Sequence, residues 1–251
     1  MQFVSFHSDG LKLAGQLRLP QAGADVPGLI ICHGIPAVPF NPEDTGYADL
    51  ATRFTEEGFA TLLFNFRGAG LSEGNFDMRG WARDLIQALS FFETVPGVDA
   101  SALYIMGFSG GAATALHVAA DDTRVAGVVS CASPAHFEEL TGEQLVHDHI
   151  SRWREINLIR DAAFPHDLED WKAGFAEVAP IKHIASIAPR PVLLLHGDAD
   201  EVVDVSHAHL LSQAAGQPSD LVVLPGALHR LRVDDRAMNM ALDWLMGLRV
   251  D

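Results

Sequence analysis

The 251-residue chain carries 33 acidic and 17 basic side chains, a formal net charge of −16. Such an acidic surface argues against nucleic-acid and anionic-membrane binding, because both need a concentrated positive field. Hydrophobic residues make up 48% of the chain, which predicts one globular domain over 1–251 with a sizeable core. The N-terminus lacks the basic and apolar regions of a signal peptide, and no apolar run approaches the ~18 residues of a membrane span. We therefore expect a cytoplasmic protein.

The first part of the chain predicts an antiparallel hairpin followed by alternating strands and helices. Residues 2–7 and 11–19 alternate apolar and polar around Asp9 and Gly10, a pair that suits a tight turn. Continuous apolar runs then predict buried strands, and apolar positions at helical spacing predict helices. The strands are expected at 28–32 and 60–66, and the helices at about 47–57 and 79–94. The polar stretch over 21–27 is expected to be a loop.

The second part continues the alternation around one interruption. Strands are expected at 103–108, 125–131, 191–195 and 220–224, and helices after residue 110, at about 205–215 and at about 234–248. This alternation predicts an α/β fold with a mostly parallel, doubly wound sheet. Residues 134–180 break the pattern, and Trp171, Phe175 and Val178 fall on one helical face. We interpret that segment as an inserted cap of two amphipathic helices.

A catalytic serine is predicted at the turn between the strand ending near 108 and the next helix. Gly107 to Gly111 matches the pattern G-x-S-x-G around Ser109. A serine on so tight a turn has a strained backbone, and its neighbours two residues away must be small because strand and helix nearly touch. The following helix would direct its first N–H groups toward a developing oxyanion.

A carboxylate and a histidine follow later strands in the order expected for a catalytic triad. Asp200 comes after the strand at 191–195, and His229 comes after the last strand. A serine hydroxyl needs an imidazole to take its proton, and the imidazole needs a carboxylate to orient it. The roles fall to Ser109 as nucleophile, His229 as base and acid, and Asp200 as the orienting acid. Asp198 competes with Asp200 for that last role, and the motif spacing favours Asp200.

These motifs together resemble the serine esterase type of α/β hydrolase over nearly the full chain. The matching blocks are His33-Gly34-Ile35, Arg67-Gly68-x-Gly70-x-Ser72, Gly107-x-Ser109-x-Gly111, His196-Gly197-x-x-Asp200 and His229. Short-cap esterases, including those that act on hydroxycinnamoyl esters, are the most similar group. The resemblance implies oxyanion-hole N–H groups at Ile35 and Gly110. The chain departs from the pattern at Asp204, where this loop commonly carries proline, and we expect no catalytic effect.

The resemblance implies hydrolysis of a small-molecule carboxylic ester through an acyl-enzyme, with no metal or organic cofactor. Phe40, Trp153 and Trp171 are candidates for contact with an apolar or aromatic substrate group, although the tryptophans could instead form the core of the cap. The same triad also serves thioesterases, peptidases or amidases and acyltransferases, because fold does not determine substrate. A binding protein that has kept the fold without turnover is the alternative from another class.

Other conspicuous residues receive structural interpretations. His33 and His196 are expected to satisfy backbone groups at strand ends. The pairs His147-x-His149 and His207-x-His209 do not predict a metal site, because residues two apart on a helix point about 200° apart. Cys32 and Cys131 are expected to be buried, reduced thiols. The family's strand order would keep them roughly 10 Å apart, too far for a disulfide.

Overall fold

The computed structural model describes residues 1–21, 25–41, 45–143 and 145–248. Part of the loop predicted over 21–27 lies outside these ranges. Across them, eight strands form one sheet in the order β1-β2-β4-β3-β5-β6-β7-β8. The strands are β1 Gln2–Ser8, β2 Leu11–Arg18, β3 Val26–Cys32, β4 Ala60–Phe64, β5 Val98–Phe108, β6 Val125–Cys131, β7 Val192–Gly197 and β8 Ser219–Leu224.

The sheet is antiparallel only at its first edge. β1 pairs with β2 as the predicted hairpin, β2 pairs antiparallel with β4, and every later pair is parallel. Because parallel strands end at the same edge, the loops that follow β3 to β8 meet at one carboxyl edge of the sheet. The predicted α/β fold with a mostly parallel sheet is confirmed.

Helices cover both faces of the sheet, as predicted for a doubly wound arrangement. Buried side chains of α2, α3 and α7 belong to one core cluster, and those of α1 and α8 belong to the cluster on the opposite face. The helices are α1 Gly46–Glu56, α2 Met78–Phe92, α3 Gly110–Asp121, α4 Glu138–Thr141, α5 Val146–Glu155, α6 Leu168–Val178, α7 Ser206–Ala214 and α8 Asp235–Gly247. None of the helices in the described ranges combines the length and apolarity needed to cross a bilayer.

Most predicted boundaries agree with the structure to within about two residues, and β5 is the exception. It begins at Val98 rather than near 103, because its first residues pair with the start of β3 before the register shifts at Gly28. The residues between are partly exposed, so they do not extend the apolar run that predicts a strand.

The segment predicted as a cap, residues 134–180, will be referred to as the insertion. Its described residues contain three helices, α4 to α6, rather than the two predicted. The extra helix, α4, has only four residues, too few to show a helical period. The insertion packs through aromatic rings on Phe76, which lies just before α2, and the Trp171 indole N–H donates to the Phe76 carbonyl at 3.0 Å. Its role as a cap stays a prediction.

The two ends of the insertion meet at the carboxyl edge of the sheet. The Ile181 N–H donates to the Ala135 carbonyl at 3.1 Å, so the departing and returning chains are directly hydrogen-bonded. The Ala135 N–H in turn donates to His207 Nδ1 of α7 at 3.0 Å. The insertion is therefore a closed excursion that leaves β6 and β7 paired side by side.

The two cysteines are buried and unbonded, as predicted. Cys32 ends β3 and Cys131 ends β6, and β5 lies between these strands. Burial raises the pKa of both thiols, which keeps them protonated and unreactive.

Candidate active site

Ser109 occupies a strained turn between β5 and α3. Its backbone has φ +52° and ψ −123°, an uncommon conformation for a residue with a side chain. The turn brings β5 and α3 so close together that a Cβ on Gly107 would lie 2.5 Å from the Ala112 Cα. A Cβ on Gly111 would in turn collide with the carbonyl oxygen of His33, just after β3. The close approach explains the two glycines of the motif. Strain of this kind is typical of functional sites.

The two residues expected to form an oxyanion hole are direct neighbours. A Cβ on Gly110 would lie 2.7 Å from Ile35 Cγ1 and 3.6 Å from the Ile35 backbone nitrogen. Gly110 is the first residue of α3, so its N–H is not used within the helix. Ile35 belongs to the loop that follows β3.

The structure brings Asp200 and His229 into contact and leaves Asp198 elsewhere. His229 Nδ1 lies 2.8 and 3.0 Å from the two carboxylate oxygens of Asp200. The Asp200 side chain is fully buried, whereas Asp198 is exposed and accepts the Gly226 N–H at 2.6 Å. Because a carboxylate faces Nδ1, that atom carries the proton and Nε2 keeps its lone pair. His229 therefore has the tautomer that a base acting through Nε2 requires.

Asp200 is held as an anion by hydrogen bonds. The backbone N–H groups of Val202 and Val203 donate to it at 2.9 and 2.8 Å. Burial favours the neutral acid, but hydrogen bonds from His196, His229 and these two N–H groups outweigh it and hold the pKa of the carboxyl well below its usual range. The anion is available to stabilise a charged His229 ring.

His196 contacts Asp200, which the sequence interpretation missed. His196 Nε2 lies 2.8 Å from the Val203 carbonyl, the backbone role expected for it, and also 3.3 Å from an Asp200 oxygen. Both neighbours are acceptors, so Nε2 carries the proton. The only sequence signal for this contact is the spacing of residues 196 and 200. That spacing does not show whether His196 binds the backbone alone or also the Asp200 carboxylate.

His33 is a neutral structural residue at the end of β3. Nε2 accepts the Phe66 N–H at 3.2 Å, so Nδ1 carries the proton and donates to the Gly34 carbonyl at 2.8 Å. Burial lowers the pKa of His33 to about 4, against a smaller opposing effect of the Gly34 hydrogen bond. The ring is therefore neutral at pH 7.

The glycine-rich loop after β4 is joined to α2 and to the insertion by two arginine side chains. The Arg67 guanidinium donates through Nε and Nη2 to the buried Asp84 carboxylate, with a shortest distance of 2.7 Å. Arg160 of the insertion donates to the carbonyls of Gly68, Gly70 and Ser72 at 3.1, 3.0 and 2.6 Å. Because these carbonyls already accept hydrogen bonds from a protein side chain, we interpret the loop as a structural turn.

The predicted substrate-contacting aromatics have different environments. Trp153 and Trp171 are each 4% exposed, with ring centroids 4.7 and 6.3 Å from that of Phe76. Their burial favours the cap-core alternative. Phe40 is 54% exposed on the loop that carries Ile35, and its contact with substrate stays a prediction.

A cluster of possible metal ligands lies at the root of the insertion, but its tautomer does not suit a metal. Ligand atoms of His136, Glu139 and His207 lie within 4.8 Å of one another. His207 Nδ1 accepts the Ala135 N–H, so Nε2, the atom nearest Glu139, carries the ring proton. A protonated nitrogen cannot bind a metal.

The sequence pair His207-x-His209 lies on α7. His207 is buried and His209 is exposed, so the two side chains lie on different faces of the helix.

Several known proteins are similar to this chain in sequence or in fold. Protein Rv2307c of Mycobacterium tuberculosis, which is uncharacterized, is 28% identical over 222 residues, 88% of this chain and 69% of that protein. Thiohydrolase aneE of Aspergillus aculeatus is 35% identical over 126 residues, 49% of this chain and 38% of its own length. Est1E from Butyrivibrio proteoclasticus superposes with a TM-score of 0.76, at 18% identity over 99% of both chains.

The model of the prolyl oligopeptidase family, Peptidase_S9, matches residues 49–246. This range runs from α1 to α8 and includes Ser109, Asp200 and His229. The fold comparison agrees, because solved α/β hydrolases share the architecture over almost the whole chain. The chain thus belongs to the prolyl oligopeptidase family and is a serine hydrolase of the α/β-hydrolase fold.

Proposed function

We propose that the protein hydrolyses carboxylic esters through an acyl-enzyme formed on Ser109. The observation that carries this proposal is the buried Asp200 carboxylate on His229 Nδ1, at the same sheet edge as the strained Ser109. That arrangement leaves Nε2 as the base, and a base is what a serine hydroxyl lacks by itself.

Each step assigns a movement of protons and electrons to a residue. His229 Nε2 takes the Ser109 proton as Oγ attacks the carbonyl carbon, and the π electrons move to the carbonyl oxygen. The N–H groups of Ile35 and Gly110 stabilise this oxyanion. Its collapse expels the alcohol, which receives the proton from His229. A water deprotonated by His229 then cleaves the acyl-serine and restores the free hydroxyl.

We propose an apolar or aromatic acyl or alcohol group for the substrate. Four apolar side chains on the loops that carry the site residues are each more than half exposed: Val38, Phe40, Val202 and Leu228. A structure of the similar-fold protein Est1E holds ferulic acid, an aromatic acid. In this proposal the insertion acts as a cap over the acyl group.

Thioester hydrolysis is a second candidate. It is favoured by the similarity to thiohydrolase aneE over half of the chain. The triad chemistry is the same, and a thiolate leaves more readily than an alkoxide, so the substrate pocket would decide between them.

The test combines covalent labelling with turnover. A fluorophosphonate should add one adduct to the wild-type protein and none to Ser109→Ala. Turnover of p-nitrophenyl esters should fall at least about 10⁴-fold in this variant. Ser101→Ala, an exposed serine at the other end of β5, is the matched control and should behave as wild type. Matched thioesters and peptide anilides then rank the acyl-transfer alternatives.

Two outcomes would overturn the proposal. An adduct that persists in Ser109→Ala would place the nucleophile elsewhere. A wild-type protein with neither adduct nor turnover, yet stabilised by aromatic esters, would instead support the binding-protein alternative. Hydrolysis rates that do not depend on acyl size or aromaticity across a matched ester panel would contradict only the proposed apolar or aromatic substrate group.

A further inference from the structure

Gly34 precedes Ile35, and its flexible backbone affects the direction of the Ile35 N–H in the proposed oxyanion hole. A Cβ at this position would lie 3.1 Å from both the Phe108 carbonyl oxygen and the Ser109 Cβ, so close approach favours glycine. Glycine, however, leaves both backbone dihedrals free. The peptide groups on either side of Gly34 therefore need separate anchors if the next N–H, that of Ile35, is to keep one direction.

The peptide group after Gly34 is anchored by His33. The ring Nδ1–H donates to the Gly34 carbonyl at 2.8 Å. In a trans peptide the C=O and the following N–H point in opposite directions, so this bond sets where the Ile35 N–H points. It leaves the peptide group before Gly34 unanchored.

Tyr47, at the start of α1, anchors that preceding peptide group. Its hydroxyl accepts the Gly34 N–H at 3.3 Å. Burial raises the pKa of Tyr47 to about 12, against smaller opposing effects of the Gly34 hydrogen bond and of Arg232, so the phenol stays neutral. With both neighbouring peptide groups held, rotation about the Gly34 dihedrals is restricted on both sides.

Tyr47 is itself held by the loops that carry the other site residues. Its ring centroid lies 5.5 Å from that of Phe108, the residue before the proposed nucleophile. The Arg232 guanidinium lies over the ring at 4.9 Å from its centroid. Arg232 follows His229 by three residues, so one side chain contacts the nucleophile strand, the oxyanion loop and the histidine loop.

We propose that Tyr47 is a positioning residue that orients the Ile35 N–H by holding the Gly34 peptide, and that Arg232 keeps its ring in place. This inference rests on the proposed ester hydrolysis. The donor itself remains the backbone N–H, so Tyr47 acts on the stability of the transition state without contacting the substrate.

Tyr47→Phe removes the hydroxyl and keeps the ring. We expect kcat for a p-nitrophenyl ester to fall about tenfold, below the ~10²–10³ that follows outright loss of one oxyanion donor. KM should stay within about twofold, because the ground-state carbonyl depends little on this donor. Affinity for phenylboronic acid, whose tetrahedral adduct on Ser109 places an oxygen in the hole, should weaken by the same factor as kcat.

The other tyrosine provides the matched control. Tyr104 lies on β5 five residues before Ser109, about 16 Å along the strand. Tyr104→Phe should leave kcat, KM and boronate affinity unchanged. Arg232→Met tests the second contact: we expect kcat to fall about threefold, with no further loss when it is combined with Tyr47→Phe, because both changes act through one hydrogen bond.

The outcomes separate this inference from the function on which it rests. Wild-type kcat in Tyr47→Phe, or a change in KM or melting temperature alone, overturns the positioning role. Additive losses in the double variant overturn the part assigned to Arg232. If Ser109→Ala retains turnover in the same assay, the ester hydrolase proposal itself has failed.

Discussion

Two buried carboxylates, Asp84 and Asp200, have different partners, and we propose a structural role for the first and a catalytic role for the second. Both side chains have no exposed surface. Asp84 pairs with the guanidinium of Arg67, a permanent cation, at 2.7 Å. Asp200 is surrounded by two imidazoles and two backbone N–H groups, none of which needs to carry a charge.

The difference lies in what remains after each carboxylate is satisfied. The charge of Asp84 is neutralised by the Arg67 guanidinium, and the pair joins α2 to the loop after β4. The charge is therefore not available to stabilise another cation. The charge of Asp200 is solvated by dipoles and remains available to stabilise an imidazolium at His229, as the proposed mechanism requires. A buried acid with neutral donors is thus the more informative sign of a catalytic site.

The largest effect is expected from Asp200→Asn. It keeps the side-chain volume but removes the charge that stabilises a protonated His229, and kcat should fall about 10⁴-fold. Destabilisation should stay below about 2 kcal/mol, since no unpaired charge is left buried. Steady-state kinetics and urea unfolding measure the two effects. A variant that loses stability but keeps its kcat would reverse the comparison.

Asp84→Asn should have the opposite signature. It leaves the Arg67 guanidinium buried with only the half-exposed Asp9 as an anionic partner, and the free energy of unfolding should fall by about 3 kcal/mol. Under conditions where the variant is folded, kcat should remain within about threefold of wild type.

Asp170→Asn is the control for Asp84→Asn, because its exposed carboxylate pairs with Arg79 at 2.9 Å. This change should cost under about 1 kcal/mol by urea unfolding. Equal losses in the two variants would mean that burial of the Asp84 pair adds nothing to its structural role.

The pH dependence of stability sharpens the comparison for Asp200. Its pKa is lower in the folded protein than the ~3.9 of an unfolded chain, so its contribution is fully present above pH ~4 and is lost as pH falls below that value. Urea unfolding from pH 7 to 3 should show a constant gap between wild type and Asp200→Asn that narrows below pH ~4. A gap that widens on acidification would contradict the assigned direction.

A smaller loss of kcat than that of Asp200→Asn is expected at His196. His196→Phe removes one donor from Asp200 and leaves His229, Val202 and Val203 in place, so we expect kcat to fall about tenfold with little change in KM. His196→Gln, which can still donate, should recover part of the loss. A merely structural histidine would change the melting temperature and leave the kcat of the folded enzyme intact in both variants.

The parts of the fold that were predictable depend on local pattern. Apolar runs locate β3, β6 and β7. The motifs around Ser109 and Asp200, together with the chain order of Ser109, Asp200 and His229 after three strands of one edge, select the candidate triad. Each of these signals lies within a few neighbouring residues, so the sequence displays it directly.

Contacts between distant elements were not predictable in the same way. Nothing in the residues around Tyr47 indicates that its hydroxyl meets Gly34, because the contact depends on how α1 packs on the face of the sheet. The pairing of Arg67 with Asp84 likewise depends on which side of α2 faces the loop after β4. The short α4 and the early start of β5 lack any periodic signal.

The hydrogen bond between Ala135 and Ile181 has an evolutionary consequence. Since the polypeptide departs and returns at one point, residues 136–180 can lengthen, shorten or be exchanged while β6 and β7 keep their register. If the insertion is the cap that we propose, natural selection can therefore vary it independently of the proposed triad. In that case, grafting this segment between homologous hydrolases should change the substrate preference and leave the scaffold unchanged.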